Sequence, residues 1–212
     1  MEIAAVRVGS IDLSVAEAGR GGRPLLLVHG FTGAKEDFAD WMDRLAVEGW
    51  WAVAPDLRGH GASAKPDDEA SYSLATFAAD LWALVDGLGW RRFSLLGHSM
   101  GGMIAQVMVL DQPARIDRLL LMDTNHGPAA GLDQETVAFG VDVLRTQGLP
   151  ALLDLIEQLP SPPPSPAEER VRLSRPGYAE WGESKVRGCA PAMYAAMAME
   201  LTTRPDRLAD LS

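Results

Sequence analysis

The pattern of hydrophobic and polar positions divides the first part of the chain into strands and helices. Residues 2–8 and 11–17 alternate apolar with polar positions on either side of Gly9-Ser10, which predicts a β-hairpin. Residues 25–30, "LLLVHG", form a continuous apolar run, as expected for a strand that is buried on both faces of a parallel sheet. Further strands of this kind are predicted over 93–97, over 118–122 and at the start of the segment 50–61, "WWAVAPDLRGHG", which ends in a loop.

Helices are predicted between these strands. Helical segments are expected over 36–47, 74–88 and 99–111, and Ser73 stands where the second of them needs an N-cap. The apolar positions that share one face of that second helix are Leu74, Phe77, Leu81, Leu84 and Val85. Strands that alternate with helices after an opening hairpin indicate an α/β fold with a mostly parallel sheet.

The pattern changes after Asp123, because no strand-like run follows. Residues 133–159 read as helical, and "PSPPPSP" over 160–166 predicts a stiff extended linker. Two or three short helical stretches then run to about residue 204. The sequence therefore predicts a helical subdomain that follows the sheet.

The composition is that of a globular protein with an acidic balance. The 29 acidic residues exceed the 19 lysines and arginines and give a net charge of −10, which argues against non-specific binding to nucleic acid or to an anionic membrane. Cys189 is the only cysteine, so no internal disulfide is expected. No leader pattern is recognised at the start, and no apolar run reaches the roughly 18 residues of a membrane helix. We expect a soluble, cytoplasmic protein.

The stretch 93–110, "FSLLGHSMGGMIAQVMVL", carries the strongest chemical signal. Gly97, Ser99 and Gly101 form a G-x-S-x-G pattern between a predicted strand and a predicted helix. In such a nucleophile elbow the serine occupies a strained turn, and the glycines let strand and helix approach closely. The serine hydroxyl is thereby presented as a nucleophile above the edge of the sheet.

A second motif supplies donors for the negative oxygen that such an attack creates. "VHGFTG" ends the strand at 25–30, so the loop of Gly30 and Phe31 should reach the same edge of the sheet as Ser99. The backbone amides of Phe31 and of Met100, which follows the nucleophile directly, are the expected oxyanion hole. The positive end of the helix dipole favours the same charge.

Four segments resemble the motifs of the α/β-hydrolase family and stand in the family's order: "LLLVHGFTG", "VAPDLRGHGAS", "LLGHSMGG" and "RLLLMDT". The resemblance implies the strand order 1-2-4-3-5-6, Ser99 as nucleophile, the Phe31 and Met100 amides as oxyanion hole, and a helical lid. It divides the chain into an incomplete core over 1–124, a lid or cap over 125–205, and the start of a return to the core over 206–212. The serine argues against the dehalogenase and epoxide-hydrolase branches, which place aspartate at that position.

The family's catalytic acid and histidine follow the lid, in the order serine, acid, histidine. The final residues, "RLADLS", resemble the segment that precedes the next strand of the family. We therefore expect the C-terminal strands and both catalytic partners of Ser99 to be missing from residues 1–212. On this expectation the 1–212 chain alone is inactive or strongly impaired.

Four histidines are present in the sequence. The side chain of His98 should point away from the serine's face, and His29 and His60 are expected to hold loops by hydrogen bonds. His126, which follows strand 118–122, is the one candidate for the base within the chain, with a lid-hinge role as the alternative. Asp123, at the end of the same strand, is a candidate acid, with a cap or loop role as the alternative.

Apolar side chains of the helical part are candidates for an acyl pocket. The residues proposed are Phe139, Trp181, Met193 and Tyr194, and helix packing alone is the competing explanation. Asp56 and Arg58 are expected to order the loop after their strand, and Cys189 is interpreted as a packing residue.

We interpret the chain as a serine hydrolase that cleaves a carboxylic ester or a lactone of small molecules through an acyl-enzyme, with no cofactor and no metal. Carbon–carbon bond hydrolysis and cofactor-free perhydrolysis stay open on the same scaffold. A catalytically inactive short form or fragment that binds a ligand or partner is the alternative from another class. An exposed apolar edge at 118–122 would permit self-association or pairing with a complementing C-terminal segment. A nucleotide-binding sheet is disfavoured, because no G-x-G-x-x-G follows the first strand.

Overall fold

The computed structural model describes residues 1–129, 131, 133–159 and 163–211. The strands in these ranges are β1 (Glu2–Val8), β2 (Ile11–Ala18), β3 (Arg23–Val28), β4 (Trp50–Pro55), β5 (Phe93–His98) and β6 (Ile116–Met122). They form one sheet in the order β1-β2-β4-β3-β5-β6, which confirms the α/β fold and the expected strand order. The opening hairpin β1-β2 is antiparallel, whereas β4, β3, β5 and β6 run parallel to one another.

The described part of the chain contains eight α-helices. They are α1 (Ala39–Val47), α2 (Leu74–Gly87), α3 (Met100–Asp111), α4 (Gln134–Gln147), α5 (Leu149–Glu157), α6 (Pro166–Ser174), α7 (Tyr178–Arg187) and α8 (Pro191–Thr203). The predicted single helix over 133–159 is two helices, because Gly148 has φ 89° and turns the chain between α4 and α5.

Parts of three predicted segments lie outside the described residues. These parts are residues 160–162 of the predicted linker, residues 130, 132 and 160–162 of the predicted lid, and residue 212 of the final segment. The end of the linker is described, and there Pro166 begins α6.

The continuous apolar run of β3 is explained by cores on both faces of the sheet. Leu26 and Val28 pack on the face that α2 and α3 cover. Leu25 and Leu27 point to the other face, where they pack with Met42 of α1. Because both faces are buried, every position from Leu25 to Val28 is apolar.

Helix α2 has the buried face that its sequence predicts. Ser73 caps this helix, since its side chain accepts a hydrogen bond from the N–H of Thr76. The five apolar residues of the predicted face are all buried: Leu74, Phe77, Leu81, Leu84 and Val85.

Strand β6 lies at the end of the sheet beyond β5. Two of its leucines are exposed, Leu120 by 47% and Leu121 by 43%. This is the apolar edge that the sequence indicates, and self-association or strand pairing through it stays a prediction.

The helices after β6 pack partly on each other and partly on the sheet region. The residues that form their own small core are Val141, Leu144, Leu149, Leu152 and Ala195. Helix α8 also reaches back, because the Glu200 carboxylate accepts hydrogen bonds from the Leu74 N–H at 3.0 and 3.2 Å. Among the described helices, none combines the length and the apolar character that crossing a lipid bilayer requires.

Candidate active site

Ser99 stands in a strained turn between β5 and α3. Its φ of 52° and ψ of −118° are rare for a residue with a side chain. The surrounding backbone holds this turn, because the Ser99 N–H donates to the Met122 carbonyl at 2.9 Å. The Ser99 carbonyl accepts from the Gly102 N–H at 2.9 Å and from the Thr124 hydroxyl at 2.8 Å. The hydrogen bonds therefore fix the position from which the Ser99 side chain projects.

Gly97 and Gly101 permit the close approach of strand and helix that this turn needs. A Cβ atom on Gly97 would lie 2.3 Å from the Gly101 carbonyl oxygen. A Cβ atom on Gly101 would lie 2.2 Å from the Val28 carbonyl oxygen. Because these neighbours are backbone atoms, neither position has room for a side chain.

The loop after β3 runs directly against Ser99. A Cβ atom on Gly30 would lie 3.3 Å from both Ser99 Cβ and His98 Nδ1. The Phe31 N–H follows in this loop, and the Met100 N–H opens α3. Neither N–H donates a backbone hydrogen bond within the described ranges. Both predicted oxyanion donors are therefore available at the loop and the helix end that flank Ser99.

Two buried histidines hold this loop from the inside, as the sequence predicts. His29 Nε2 accepts from the Leu57 N–H at 3.0 Å, and His29 Nδ1 lies 2.8 Å from the Gly30 carbonyl oxygen. His60 Nε2 contacts the Phe31 carbonyl oxygen, and its Nδ1 lies 3.0 Å from the Arg58 carbonyl oxygen. Burial lowers the pKa of His29 to about 3 and also lowers the pKa of His60.

The sequence did not predict the buried ion pair between Lys35 and Asp56. Asp56 is fully buried and accepts hydrogen bonds from both the N–H and the Nζ of Lys35, each at 2.8 Å. Burial alone would raise the pKa of Asp56, but the bonds from Lys35 outweigh it and hold the pKa below its usual value. The loop-ordering role predicted for Asp56 and Arg58 is confirmed. Asp56 accepts from the Ala62 N–H of this loop at 2.9 Å, and Arg58 joins the loop to α2 by binding both carboxylate oxygens of Asp80 at 2.7 Å.

The chain that follows β6 runs along α3 away from Ser99 before it reaches His126. The Asn125 carbonyl accepts from the side chain of Gln106, which is seven residues, or about 10 Å, further along the helix than Ser99. His126 Nδ1 is 2.8 Å from Asp206 Oδ1, and this exposed pair joins the segments that enter and leave the helical region. These contacts favour the hinge role of His126 over the role of base.

Within the described residues, no histidine nitrogen forms a hydrogen bond with Ser99 Oγ. Asp123 ends β6 with a positive φ of 46°, and its role as an acid stays a prediction. In the same part of the chain, no group of three or more histidine, cysteine, aspartate or glutamate side chains is arranged to hold a metal ion.

An apolar cavity of about 310 Å³ lies between Phe31 and the helices α4, α5 and α8. Phe31 connects it to the nucleophile, because this residue's amide belongs to the loop at Ser99 and its ring lies 4.7 Å from the Tyr194 ring. Among the lining residues are Phe139, Val137, Leu152, Leu155, Tyr194, Ala198 and Leu201. Phe139 and Tyr194 therefore lie where an acyl pocket was predicted.

Two other residues predicted for this pocket do not line it. Met193 is fully buried in the main core, where a Cβ atom on Gly59 would lie 2.6 Å from Met193 Cβ. Trp181 lies under Lys185, whose Nζ is 3.9 Å from the centre of the indole ring. Lys185 in turn binds Asp37 at 2.6 Å and ties α7 to the turn before α1. Met193 and Trp181 thus make packing contacts outside this cavity, and their place in an acyl pocket stays a prediction.

Residues 23–152 match the family model described as the alpha/beta hydrolase fold. The match covers more than half of the chain and includes Ser99, both glycines of its turn and the Phe31 loop. The chain belongs to the alpha/beta hydrolase fold family.

The comparisons also give individual relatives. The serine hydrolase-like protein of Homo sapiens is 36% identical over 103 residues, which are 49% of this chain and 50% of that protein. A fluoroacetate dehalogenase from Burkholderia sp is 38% identical over 121 residues, which are 56% of this chain and 39% of that protein. The chain spans 31% to 50% of the length of the serine hydrolase-like proteins of Danio rerio and Homo sapiens that it matches.

The fold is also similar to that of a solved enol-lactonase from Burkholderia xenovorans LB400. The TM-score is 0.78 at 22% sequence identity, over 96% of this chain and 75% of that chain. At this identity the similarity concerns the fold alone.

Proposed function

We propose that this chain carries the nucleophile and the oxyanion hole of a serine hydrolase that cleaves carboxylic esters or lactones. The observation that supports the proposal is Ser99, held at φ 52° beside the Gly30 loop and at the start of α3. An oxygen that becomes negative next to Ser99 would meet the N–H groups of Phe31 and Met100. Donors that are already in place stabilise such an oxygen without further reorganisation.

The reaction follows from these positions. Ser99 Oγ attacks the carbonyl carbon, and the π electrons of the carbonyl move to the oxygen beside the two amides. Collapse of this intermediate breaks the ester or lactone C–O bond and leaves an acyl group on Ser99. The leaving oxygen takes up the proton that the base removed from Ser99, and it departs as an alcohol from an ester or stays as the hydroxyl of the opened chain of a lactone. Water then releases the acid.

The proton of Ser99 requires a general base. His29 and His60 are unsuited, because both ring nitrogens of each already face backbone groups. His126 binds Asp206, so we assign the base to none of these three histidines.

The helices α4, α5 and α8 act in this proposal as a lid that shapes the acyl site. Their cavity of about 310 Å³ is lined almost entirely by hydrocarbon side chains, and its polar side chains are Thr136 and Tyr194. An uncharged acyl group suits such a wall, because a buried carboxylate or ammonium would find no partner there. The proposed division into a core over 1–124 and a lid over 125–205 rests on the same arrangement.

Ser99 distinguishes the proposed activity from the activities for which some relatives are named. The family resemblance implies an aspartate nucleophile for the dehalogenase branch, whereas this chain has Ser99 at that position. A ligand-binding chain without catalysis is the second candidate. It is favoured by the absence, among the described contacts, of a histidine on Ser99 Oγ.

Acylation of Ser99 tests the proposal. The purified chain would be mixed with p-nitrophenyl hexanoate, with and without added imidazole as an external base, and analysed by intact-protein mass spectrometry. We expect one hexanoyl group per chain, formed faster with imidazole and absent in Ser99→Ala. Ser184→Ala, which removes an exposed serine of α7, should behave like the unmodified chain. Equal acylation of Ser99→Ala, or no acylation at any imidazole concentration, would favour the ligand-binding alternative.

A further inference from the structure

The orientation of one peptide unit decides whether the Phe31 N–H can serve as an oxyanion donor. The Gly30 carbonyl and the Phe31 N–H belong to the same peptide group, which is trans and planar. In such a group the C=O and the N–H point in opposite directions. Whatever holds the Gly30 carbonyl towards the interior therefore turns the Phe31 N–H to the opposite side.

His29 holds that carbonyl, and its own surroundings fix which nitrogen carries the proton. The Leu57 N–H is a donor only, so His29 Nε2, 3.0 Å away, must present a lone pair. Full burial lowers the pKa of His29 to about 3, which keeps the ring neutral at neutral pH. The single ring proton must then be on Nδ1, which lies 2.8 Å from the Gly30 carbonyl oxygen.

The next carbonyl of the loop, that of Phe31, faces His60. His60 Nε2 contacts the Phe31 carbonyl oxygen and its Nδ1 lies 3.0 Å from the Arg58 carbonyl oxygen, so the neutral ring can donate to only one of these two acceptors. The His60 ring packs edge-on against that of His29 with centres 4.8 Å apart, and the Gly33 N–H also donates to the Gly30 carbonyl, at 3.1 Å. Among the described residues the Phe31 N–H makes no backbone hydrogen bond.

We propose that His29 is a positioning residue of the oxyanion hole. As the Nδ1–H tautomer it binds the Gly30 carbonyl, and it thereby directs the Phe31 N–H towards the oxygen that forms at Ser99. His60 supports the same loop through the Phe31 carbonyl. This inference rests on the proposed function, because it assigns a role in the same reaction.

The tautomer gives a first test that needs no activity. Long-range ¹H–¹⁵N correlation spectra at pH 7 distinguish Nδ1–H, Nε2–H and doubly protonated imidazole, and His29→Asn identifies the signals of His29. We expect a neutral ring with its proton on Nδ1. A proton on Nε2, or a doubly protonated ring, would overturn the inference whatever Ser99 does.

The second test compares two substitutions of His29 by the rate of Ser99 acylation with imidazole present. His29→Leu fills similar space without a donor, whereas His29→Asn can place an amide N–H near the position of Nδ1. Losing an oxyanion donor costs about 10²- to 10³-fold in rate. Because the Gly33 N–H still restrains the Gly30 carbonyl, we expect a loss of about 10- to 100-fold for His29→Leu. The concentration of ester at half-maximal rate should change little, and His29→Asn should recover part of the rate.

A remote variant controls for a general loss of stability. Met42→Ala removes a fully buried side chain of α1 on the other face of the sheet, and it should lower the free energy of unfolding without slowing acylation. Equal acylation rates in His29→Leu and the unmodified chain would refute the positioning role of His29 but not the proposed function. Failure of the unmodified chain to acylate would instead refute the proposed function, so the two failures are distinguishable.

Discussion

The region around Ser99 and the helical region after β6 are held together in different ways. At Ser99 the backbones of β3, β5 and α3 are in direct contact, so that a single added carbon on Gly97 or Gly101 would overlap a carbonyl group. In the helices after β6, glycines such as Gly177 and Gly182 face open space. There the packing is done by side chains around a cavity.

In the function proposed above, the difference corresponds to two tasks. Chemistry at a carbonyl requires donors whose positions are fixed to a fraction of an ångström, and backbone contacts with buried histidines supply that rigidity. A pocket for an acyl group requires only an apolar wall, which side chains on surface helices can provide and adjust. Phe31 belongs to both regions, because its amide lies in the first and its ring in the second.

The largest effect is expected when a glycine is replaced by alanine in each of the two regions and the free energies of unfolding are compared. Gly101→Ala places a Cβ atom 2.2 Å from the Val28 carbonyl oxygen, and backbone atoms cannot move aside without displacing β3. We expect a loss of about 3 kcal/mol or more in the free energy of unfolding. Gly182→Ala in α7, where nothing lies within 4 Å, should gain about 0.5–1 kcal/mol by helix propensity. Urea denaturation measures both, and equal effects of the two variants would contradict the comparison.

Lowering the pH should weaken the Ser99 region through its buried histidines. The pKa of His29 falls from 6.5 in the unfolded chain to about 3 in the folded one, so the unfolded chain binds the proton first. The contribution of a neutral His29 is fully present above pH 6.5 and decreases as the pH falls towards 3. Between pH 6 and pH 4 we expect a loss of about 2 kcal/mol, measured by denaturation at each pH.

Other titratable groups also make the stability depend on pH, and the experiment must control for them. His60, whose pKa is also lowered, acts in the same direction. The stabilisation from Asp56, whose pKa is lowered in the folded chain, is present above the unfolded pKa of 3.8 and is lost only below that pH. Glu200, whose pKa is raised by burial, acts in the opposite direction and should be replaced by Gln in the reference chain. In that reference, His29→Asn should flatten the profile, and an unchanged slope would mean that His29 is not the group that titrates.

A larger side chain in the cavity should change which acyl chain lengths the protein prefers. Each buried methylene contributes about 0.8 kcal/mol, so kcat/KM should rise about fourfold per added carbon until the cavity is full. Ala198→Leu adds volume to a lining position of α8 and should move the optimum in a series of p-nitrophenyl esters to shorter chains. Ala179→Leu, the same change at an exposed position of α7, should leave the series unchanged. If the preferred chain length does not change in Ala198→Leu, the cavity is not the site that binds the acyl group.

The smallest effect is expected at a contact that joins the two regions. Glu200 of α8 accepts the Leu74 N–H at the start of α2, next to the cap made by Ser73. Glu200→Ala should cost about 1 kcal/mol, as the loss of a helix cap does, and Ser73→Ala should cost a similar amount. If denaturation shows no loss in Glu200→Ala, the helices after β6 do not support α2 through this contact.

The elements that the sequence predicts well are those with a local pattern. Runs such as 25–30 are apolar throughout because two cores meet at one strand, and the G-x-S-x-G spacing is tied to one turn. The break at Gly148 was missed, because the apolar periodicity continues across it.

Contacts between distant segments explain the other differences. The bond from Leu74 to Glu200 joins positions 126 residues apart, and the Lys35–Asp56 pair is likewise not visible in any local pattern. Met193 and Tyr194, both predicted for one pocket, lie on different sides of α8 because neighbours on a helix point about 100° apart. One faces the main core and the other the cavity, and sequence alone does not say which.

The proposed oxyanion hole requires that the N–H groups of Phe31 and Met100 point at the oxygen that forms on Ser99. The ¹H–¹⁵N spectrum of the chain before and after reaction with a fluorophosphonate tests this, because the phosphoryl oxygen on Ser99 stands in for that oxyanion. We predict a single adduct on Ser99 and downfield shifts of both amide protons, with the Phe31 shift reduced in His29→Leu. An adduct on another residue, or an adduct on Ser99 that leaves both amides unchanged, would refute the proposed oxyanion hole.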